Sequence, residues 1–195
     1  MASYVKFFGG DKYREELTFN IKDELKRAEC HYSASFSEHR KPVKFKENDL
    51  IFLARLTKKP NDYAIFGRGL VASTFLLPRD RATASDIIRI EWKKQWPLYL
   101  RLKETQFIEG SLKNGILLED VIKKFQLNSF TRTKTWFDNN KKNIKIRTVF
   151  CNQPDVELTK EASLWVNEKF EVALQNFGQI SDEYIANLPK PEVEL

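Results

Sequence analysis

Cysteine and histidine are scarce in this chain, which has only two of each among 195 residues. Cys30 and Cys151 lie far apart and lack CxxC spacing, so the sequence predicts neither a disulfide framework nor a zinc site. His31 and His39 have no cysteine or serine partner in a recognisable catalytic arrangement. A GxxxxGK(S/T) phosphate loop is also missing. We therefore expect no cofactor, no metal and no nucleotide hydrolysis.

Long hydrophobic runs are missing as well. No apolar stretch approaches the roughly 20 residues that a membrane-spanning helix needs. Residues 1–6 run directly into an apparent strand and lack the core of a signal peptide. Apolar residues make up 42% of the chain and charged residues of both signs 31%, which favours a folded domain over disorder. We expect a cytoplasmic protein that does not contact a membrane.

Charge is distributed unevenly along the chain, whose formal net charge is +6. Residues 156–195 contain three bases and eight acids. Residues 1–155 contain the other 30 bases and 19 acids, which gives them a net charge of +11. A basic body indicates a polyanionic partner such as nucleic acid, whereas ordinary lysine-rich solubilisation would explain the excess without a partner.

Hydrophobic periodicity predicts a mixed α+β chain that is rich in strands. The predicted strands cover 4–8, 49–56, 63–76, 87–92, 98–107 and 144–150. Apolar residues at three- and four-residue spacing predict a helix over 12–29 and a shorter one over 116–125. The polar segment 30–41 is predicted to be a loop or a short edge strand.

The C-terminal segment contains the clearest helical pattern. Thr159 can cap the start of this helix and Gly178 can end it. Its apolar stripe consists of Ala162, Trp165, Val166, Phe170, Ala173, Leu174 and Phe177. A short helix over 182–187 is predicted to follow. The predicted organisation is a domain over 1–155, C-terminal helices packed on it over 156–188, and the start of a linker over 189–195.

Three segments, taken in order, resemble the PUA superfamily and within it the EVE and YTH-like domains. Residues 48–53 (NDLIFL) are similar to the GD-x-hydrophobic strand of EVE domains, with asparagine where glycine is usual. Residues 65–71 (IFGRGLV) resemble the G-x-G-x-V strand that follows. Residues 90–92 and 96–102 resemble a later pair of strands in EVE domains, the second of which is apolar and is preceded by a proline. The resemblance covers about residues 3–110.

The resemblance implies a fold and a function. The fold would be α+β, with a curved, barrel-like antiparallel sheet flanked by helices. The function would be recognition of a modified base, most simply in methylated DNA, flipped into an aromatic pocket. Such domains are specificity modules of modification-dependent restriction systems, including McrB-type proteins, so the resemblance implies a non-enzymatic reader with a nuclease or further domains beyond the C-terminus. Residues 30–35 are similar to the YTH segment, which assigns Tyr32 and Ser33 to the pocket.

Aromatic and basic residues elsewhere supply further candidates. Trp92, Trp96 and Trp136 could wall the pocket, although large aromatic residues more often belong to a core. Arg68, flanked by two glycines, could reach phosphate or simply face solvent. The residues predicted to contact the nucleic-acid backbone are Arg68, Lys93, Lys94, Arg132, Lys134, Lys141 and Lys142.

Three other functions are compatible with the sequence. Glu91 and Lys93 form an E-x-K pattern typical of metal-dependent nucleases, which also need an upstream acid to hold the metal. The candidates for that acid are Asp62, Asp80 and Asp86. An RNA-binding PUA-like module would use the same basic and aromatic residues. A protein-interaction module would instead use the acidic helix around 161–176.

Overall fold

The computed structural model describes residues 1–8, 33–36, 44–57, 62–75, 81, 84, 94, 97–110, 113–140 and 155–181, without the side chains of 33–36, 56, 99 and 136–140. The strands are β1 (Ser3–Phe8), β2 (Ser33–Phe36), β3 (Leu50–Leu56), β4 (Tyr63–Val71), β5 (Leu98–Phe107), β6 (Ile116–Leu117) and β7 (Asp155–Glu157). The helices are α1 (Leu118–Phe125), α2 (Thr131–Asn140) and α3 (Lys160–Phe177), with a 3-10 turn at Gln126–Asn128 between α1 and α2.

The strands form one sheet in the order β2-β5-β4-β3-β1-β7, and β6 pairs with β4 off this path. β1 and β3 run parallel, with Ser3 opposite Leu50. Every other pairing among the described strands is antiparallel. The order ends at β2 and β7, and no described pairing joins these two edges. The α+β class is therefore confirmed, whereas closure into a barrel is not.

Several predicted elements match the structure. The prediction over 98–107 coincides with β5, the segment 30–41 contains the edge strand β2, and the prediction over 63–76 ends early at Val71. The helix predicted over 116–125 begins as strand β6 before it becomes α1. Helix α2 and strand β7 were not predicted. The elements predicted over 12–29, 87–92, 144–150 and 182–187 lie outside the described residues.

Each face of the sheet carries its own apolar cluster, because side chains alternate along a strand. In β3, Phe52 and Ala54 belong to one cluster, and Ile51 and Leu53 belong to the other. The cluster that contains Phe52, which we call the helix-side core, also contains residues of α1 and α3. Its members from α3 are Ala162, Val166, Phe170 and Ala173. We call the second cluster the opposite core.

A β-bulge in β4 lies directly before Gly67. The register of β3 and β4 shifts after the Leu53–Gly67 pair, which leaves Phe66 as an extra residue. Phe66 joins the opposite core, where its ring lies 6.3 Å from the ring of Phe107 in a stacked arrangement. A Cβ atom at Gly67 would lie 2.7 Å from Cδ1 of Phe107, so a larger residue would force the phenylalanine to move.

Helix α3 follows the sequence prediction closely. The Thr159 hydroxyl accepts the N–H of Ala162 at 3.3 Å, and Gly178, with φ of 89°, ends the helix. Three members of the predicted stripe are less buried than the rest. Phe177 is 48% exposed, whereas Trp165 and Leu174 are partly buried and pack at the edge of the helix-side core, Trp165 beside Phe125.

The C-terminal part is integral to the sheet. β7 pairs antiparallel with β1, with Val156 opposite Val5. Both residues belong to the helix-side core, together with buried residues of α3. The predicted boundary after residue 155 falls within β7, and α3 packs against the sheet. The division into domains stays a prediction.

Candidate nucleic-acid interface

Arg68 points from β4 towards helix α3 rather than into solvent. Its side chain is 11% exposed. Nε donates to Oε1 of Gln106 at 2.9 Å, and Nη1 donates to Oδ1 of Asn167 at 2.6 Å. The guanidinium also forms an ion pair with Glu171 and lies 4.8 Å from the ring centroid of Phe170. The structure thus corrects both interpretations of Arg68, because its donors are occupied within the fold.

The predicted pocket residues are only partly described. Ser33 lies on the edge strand β2, directly opposite Arg101 of β5. Trp136 lies on α2, of which only the backbone is described at that position. Tyr32, Trp92 and Trp96 lie outside the described residues. The aromatic pocket therefore stays a prediction.

Three of the predicted phosphate contacts are exposed. Arg132 and Lys134 lie at the start of α2, and Lys94 lies shortly before β5. Lys93, Lys141 and Lys142 lie outside the described residues. The exposed cations satisfy the first requirement of a phosphate contact, which is access from solvent.

Two buried residues at three-residue spacing orient the start of α2. Phe130 is fully buried and forms an isolated β-bridge with Leu158, and Thr133 is also fully buried. The Ser129 hydroxyl donates to the carbonyl of Gln126 at 2.7 Å, which closes the turn before the helix. Because Phe130 and Thr133 face inwards, Arg132 and Lys134 are left on the surface.

The first turns of the three helices differ in charge. The first turn of α1 contains Glu119 and Asp120, as the positive end of the helix dipole favours, and the first turn of α3 contains Glu161 next to Lys160. α2 has no acid in its first turn and carries Arg132 and Lys134 there instead. Cations at this end disfavour the helix slightly, so Arg132 and Lys134 do not stabilise α2 through its dipole.

The structure does not describe the residues of the E-x-K nuclease pattern. Glu91, Lys93, Asp80 and Asp86 lie outside the described residues. Asp62 is buried at the start of β4, where its Oδ1 accepts the N–H of Tyr63 at 2.8 Å. Among the described residues, no group of three or more His, Cys, Asp or Glu side chains could hold a metal ion.

An exposed aromatic residue that was not predicted from the sequence lies four residues after the end of β4. Phe75 is 82% exposed there, and its carbonyl accepts a hydrogen bond from Nη2 of Arg101 at 3.3 Å. Arg101 is also the residue opposite Ser33, so the structure brings one predicted pocket residue close to this feature. Periodicity could not reveal Phe75, since an apolar residue after a strand is indistinguishable from a core residue in the sequence.

No family model and no curated protein sequence matches this chain. Within the described residues, no helix has the length and apolar character needed to cross a membrane.

Proposed function

We propose that this chain is a nucleic-acid-binding reader of the EVE/YTH-like type, which recognises a modified base in DNA and catalyses no chemical step. The finer fold assignment, a curved PUA-like barrel, is part of the proposal and rests on the segments 48–53, 65–71 and 90–102. We further propose that the reader is the specificity module of a modification-dependent restriction system.

The exposed pair Arg132 and Lys134 carries the proposal. Both cations occupy the first turn of α2, where the helix dipole favours negative charge. They belong to the part of the chain with a net charge of +11, while the excess of acids over bases lies after residue 155. A polyanion that binds beside α2 would satisfy both the two side chains and the helix terminus.

Salt-dependent binding tests the electrostatic part of the proposal. We would titrate the protein with short duplexes and single strands of DNA and RNA at several salt concentrations. The double variant Arg132→Gln, Lys134→Gln should bind all strands more weakly, and its log–log salt slope should be smaller by about 1.4 to 1.8. Lys169→Gln is the control, because it removes an exposed charge from the acidic helix α3 and should leave the slope unchanged.

Matched modified strands test the finer proposal. The same sequences would carry methyladenine, methylcytosine, hydroxymethylcytosine or no modification, with Mg²⁺ present in a parallel series. Selective binding of one modified DNA without cleavage would support the reader. Equal binding of all strands would remove the modified base from the proposal, no binding at all would overturn it, and Mg²⁺-dependent cleavage would favour the nuclease of Glu91 and Lys93.

A further inference from the structure

The outward face of helix α2 is polar and basic. Thr133 is fully buried, and the residues on the other side of the helix, at 3.6 residues per turn, are Thr131, Arg132, Lys134 and Thr135. All four are exposed. Their side chains are two cations and two hydroxyls, which are groups that proteins use to contact phosphates and the edges of bases.

Neighbouring segments hold the start of α2 in place. α1 ends at Gln126, whose φ of 49° turns the chain out of the helix, and a 3-10 turn then leads towards α2. Phe130 belongs to the helix-side core and forms an isolated bridge with Leu158. The N–H of Thr159 donates to the carbonyl of Ser129 at 3.2 Å. α1, the turn and α2 thus follow one another in the order of a helix-turn-helix segment, in which the second helix lies against DNA.

The two cations of this face are available to an anion. Within the part of the chain that the structure describes, neither Arg132 nor Lys134 forms an ion pair or a side-chain hydrogen bond. The acids that flank Leu158 and Thr159 in the sequence, Glu157 and Glu161, pair with neither cation. Residues 121–137 contain four bases and no acid. The charge of this face is therefore complementary to a phosphate backbone.

We infer that the outward face of α2 binds in the major groove of duplex DNA, where Arg132 contacts the edge of a guanine and Lys134 contacts a phosphate. The inference rests on the proposed function and adds that α2 holds the duplex that carries the modified base. The major groove of B-DNA admits an α-helix and presents O6 and N7 of guanine as two acceptors. The planar fork of an arginine matches these two acceptors, whereas the ammonium of a lysine is a point charge that suits a phosphate.

Two features of the face support these roles. Arg132 lies on one side of the face and Lys134 on the other, because they are two positions apart on the helix. One of them can thus reach into the groove while the other lies at its rim. The described side chains of the face include no aromatic ring on which an unpaired base would stack, which favours a duplex over a single strand.

Substituted duplexes test which groove the protein occupies. Wild type would be titrated with a short guanine-rich duplex and with the same duplex in which 7-deazaguanine, which lacks the N7 acceptor of the major groove, replaces guanine. A third duplex would contain inosine, which lacks only the amino group in the minor groove. Loss of N7 should weaken binding by about 3- to 10-fold, since it removes about half of one bidentate contact. Inosine should change the affinity by less than about twofold.

Single variants separate the base contact from the charge. Arg132→Lys keeps the cation, so its salt slope should match that of wild type, but it should bind the plain and the 7-deazaguanine duplex equally. Lys134→Gln should weaken both duplexes alike and reduce the slope by about 0.9. Lys169→Gln, which removes an exposed charge from α3, is the control and should behave like wild type in every titration.

The wild-type titrations alone can overturn the inference. Equal binding of the plain and 7-deazaguanine duplexes would do so, as would a loss of affinity on inosine substitution or tighter binding of the matched single strand. In each of these cases the proposed function would stand, because wild type would still bind nucleic acid. Failure of wild type to bind any strand would instead overturn the proposed function together with the inference.

Discussion

Tyr4 is a buried tyrosine whose hydroxyl has a raised pKa, because it lies out of water and near three carboxylates. It is 8% exposed in the opposite core, and its ring meets that of Phe45 edge-on at 4.8 Å. Burial and, to a smaller extent, the nearby carboxylates of Glu157, Asp49 and Asp155 together raise the pKa of the Tyr4 hydroxyl to about 12. The side chain is therefore neutral in the fold under all ordinary conditions.

The raised pKa of Tyr4 predicts a loss of stability in strong alkali. Because the unfolded residue ionises near pH 10 and the folded one near 12, its contribution to the free energy of unfolding is complete below about pH 10 and is lost as the pH rises through 12. Wild type should therefore lose stability relative to Tyr4→Phe between pH 10 and 12, as measured by urea denaturation. The difference at pH 8 is the internal control, and parallel pH profiles would contradict the assignment.

At the scale of elements, the contact between the sheet and α3 combines apolar and polar parts. Phe52 of β3 and Phe170 of α3 lie 6.4 Å apart in the helix-side core. Arg68 extends this contact with donors to β5 and α3 and with its guanidinium over Phe170. Because Phe66 is an extra residue in β4, the next residue, Gly67, faces the opposite core, and Arg68 faces helix α3.

Removal of Arg68 should therefore loosen α3 from the sheet. We expect Arg68→Ala to lower the free energy of unfolding by about 1–3 kcal/mol, because it leaves the acceptors of Gln106 and Asn167 without their donor. Glu171→Gln keeps an acceptor at a half-exposed position and should cost about 1 kcal/mol or less. Urea denaturation measures both. A stable Arg68→Ala variant with a reduced salt slope for DNA would return Arg68 to the list of phosphate contacts.

At the scale of the whole molecule, the two ends of the chain complete one structure. β7 pairs with β1, and α3 covers the helix-side core that β1, β3 and β4 supply. The hydroxyl of Ser163 donates to that of Ser3 at 2.7 Å, which adds a polar contact between residues 160 positions apart. The acidic C-terminal segment is thus part of the fold of the basic body.

A chain that ends at residue 154 should consequently fail to fold cooperatively. It would lose β7 and expose the apolar residues that α3 covers, which is far more area than a marginally stable domain can leave in water. We expect no sigmoidal urea transition and strong binding of a hydrophobic dye, with the full chain as the reference. A cooperative transition of the shortened chain would show that the C-terminal part is an appendage after all.

The candidate site was only partly predictable from the sequence. Arg132, Lys134 and Arg68 were all predicted from the sequence to contact phosphate. In the structure Arg132 and Lys134 are exposed, whereas the guanidinium of Arg68 is bonded to side chains of α3. Phe75 and Phe177 were not distinguished from core residues, because exposure depends on which segments pack nearby.

The sequence by itself determined the local features: the extent of β5, the cap and end of α3, and the apolar alternation of β3, since each follows from interactions between residues a few positions apart. Only the tertiary structure decided the parallel pairing of β1 with β3, the edge position of β7 and the partners of Arg68. These depend on contacts between segments about 40 to 150 residues apart, and local propensity carries no information about such contacts.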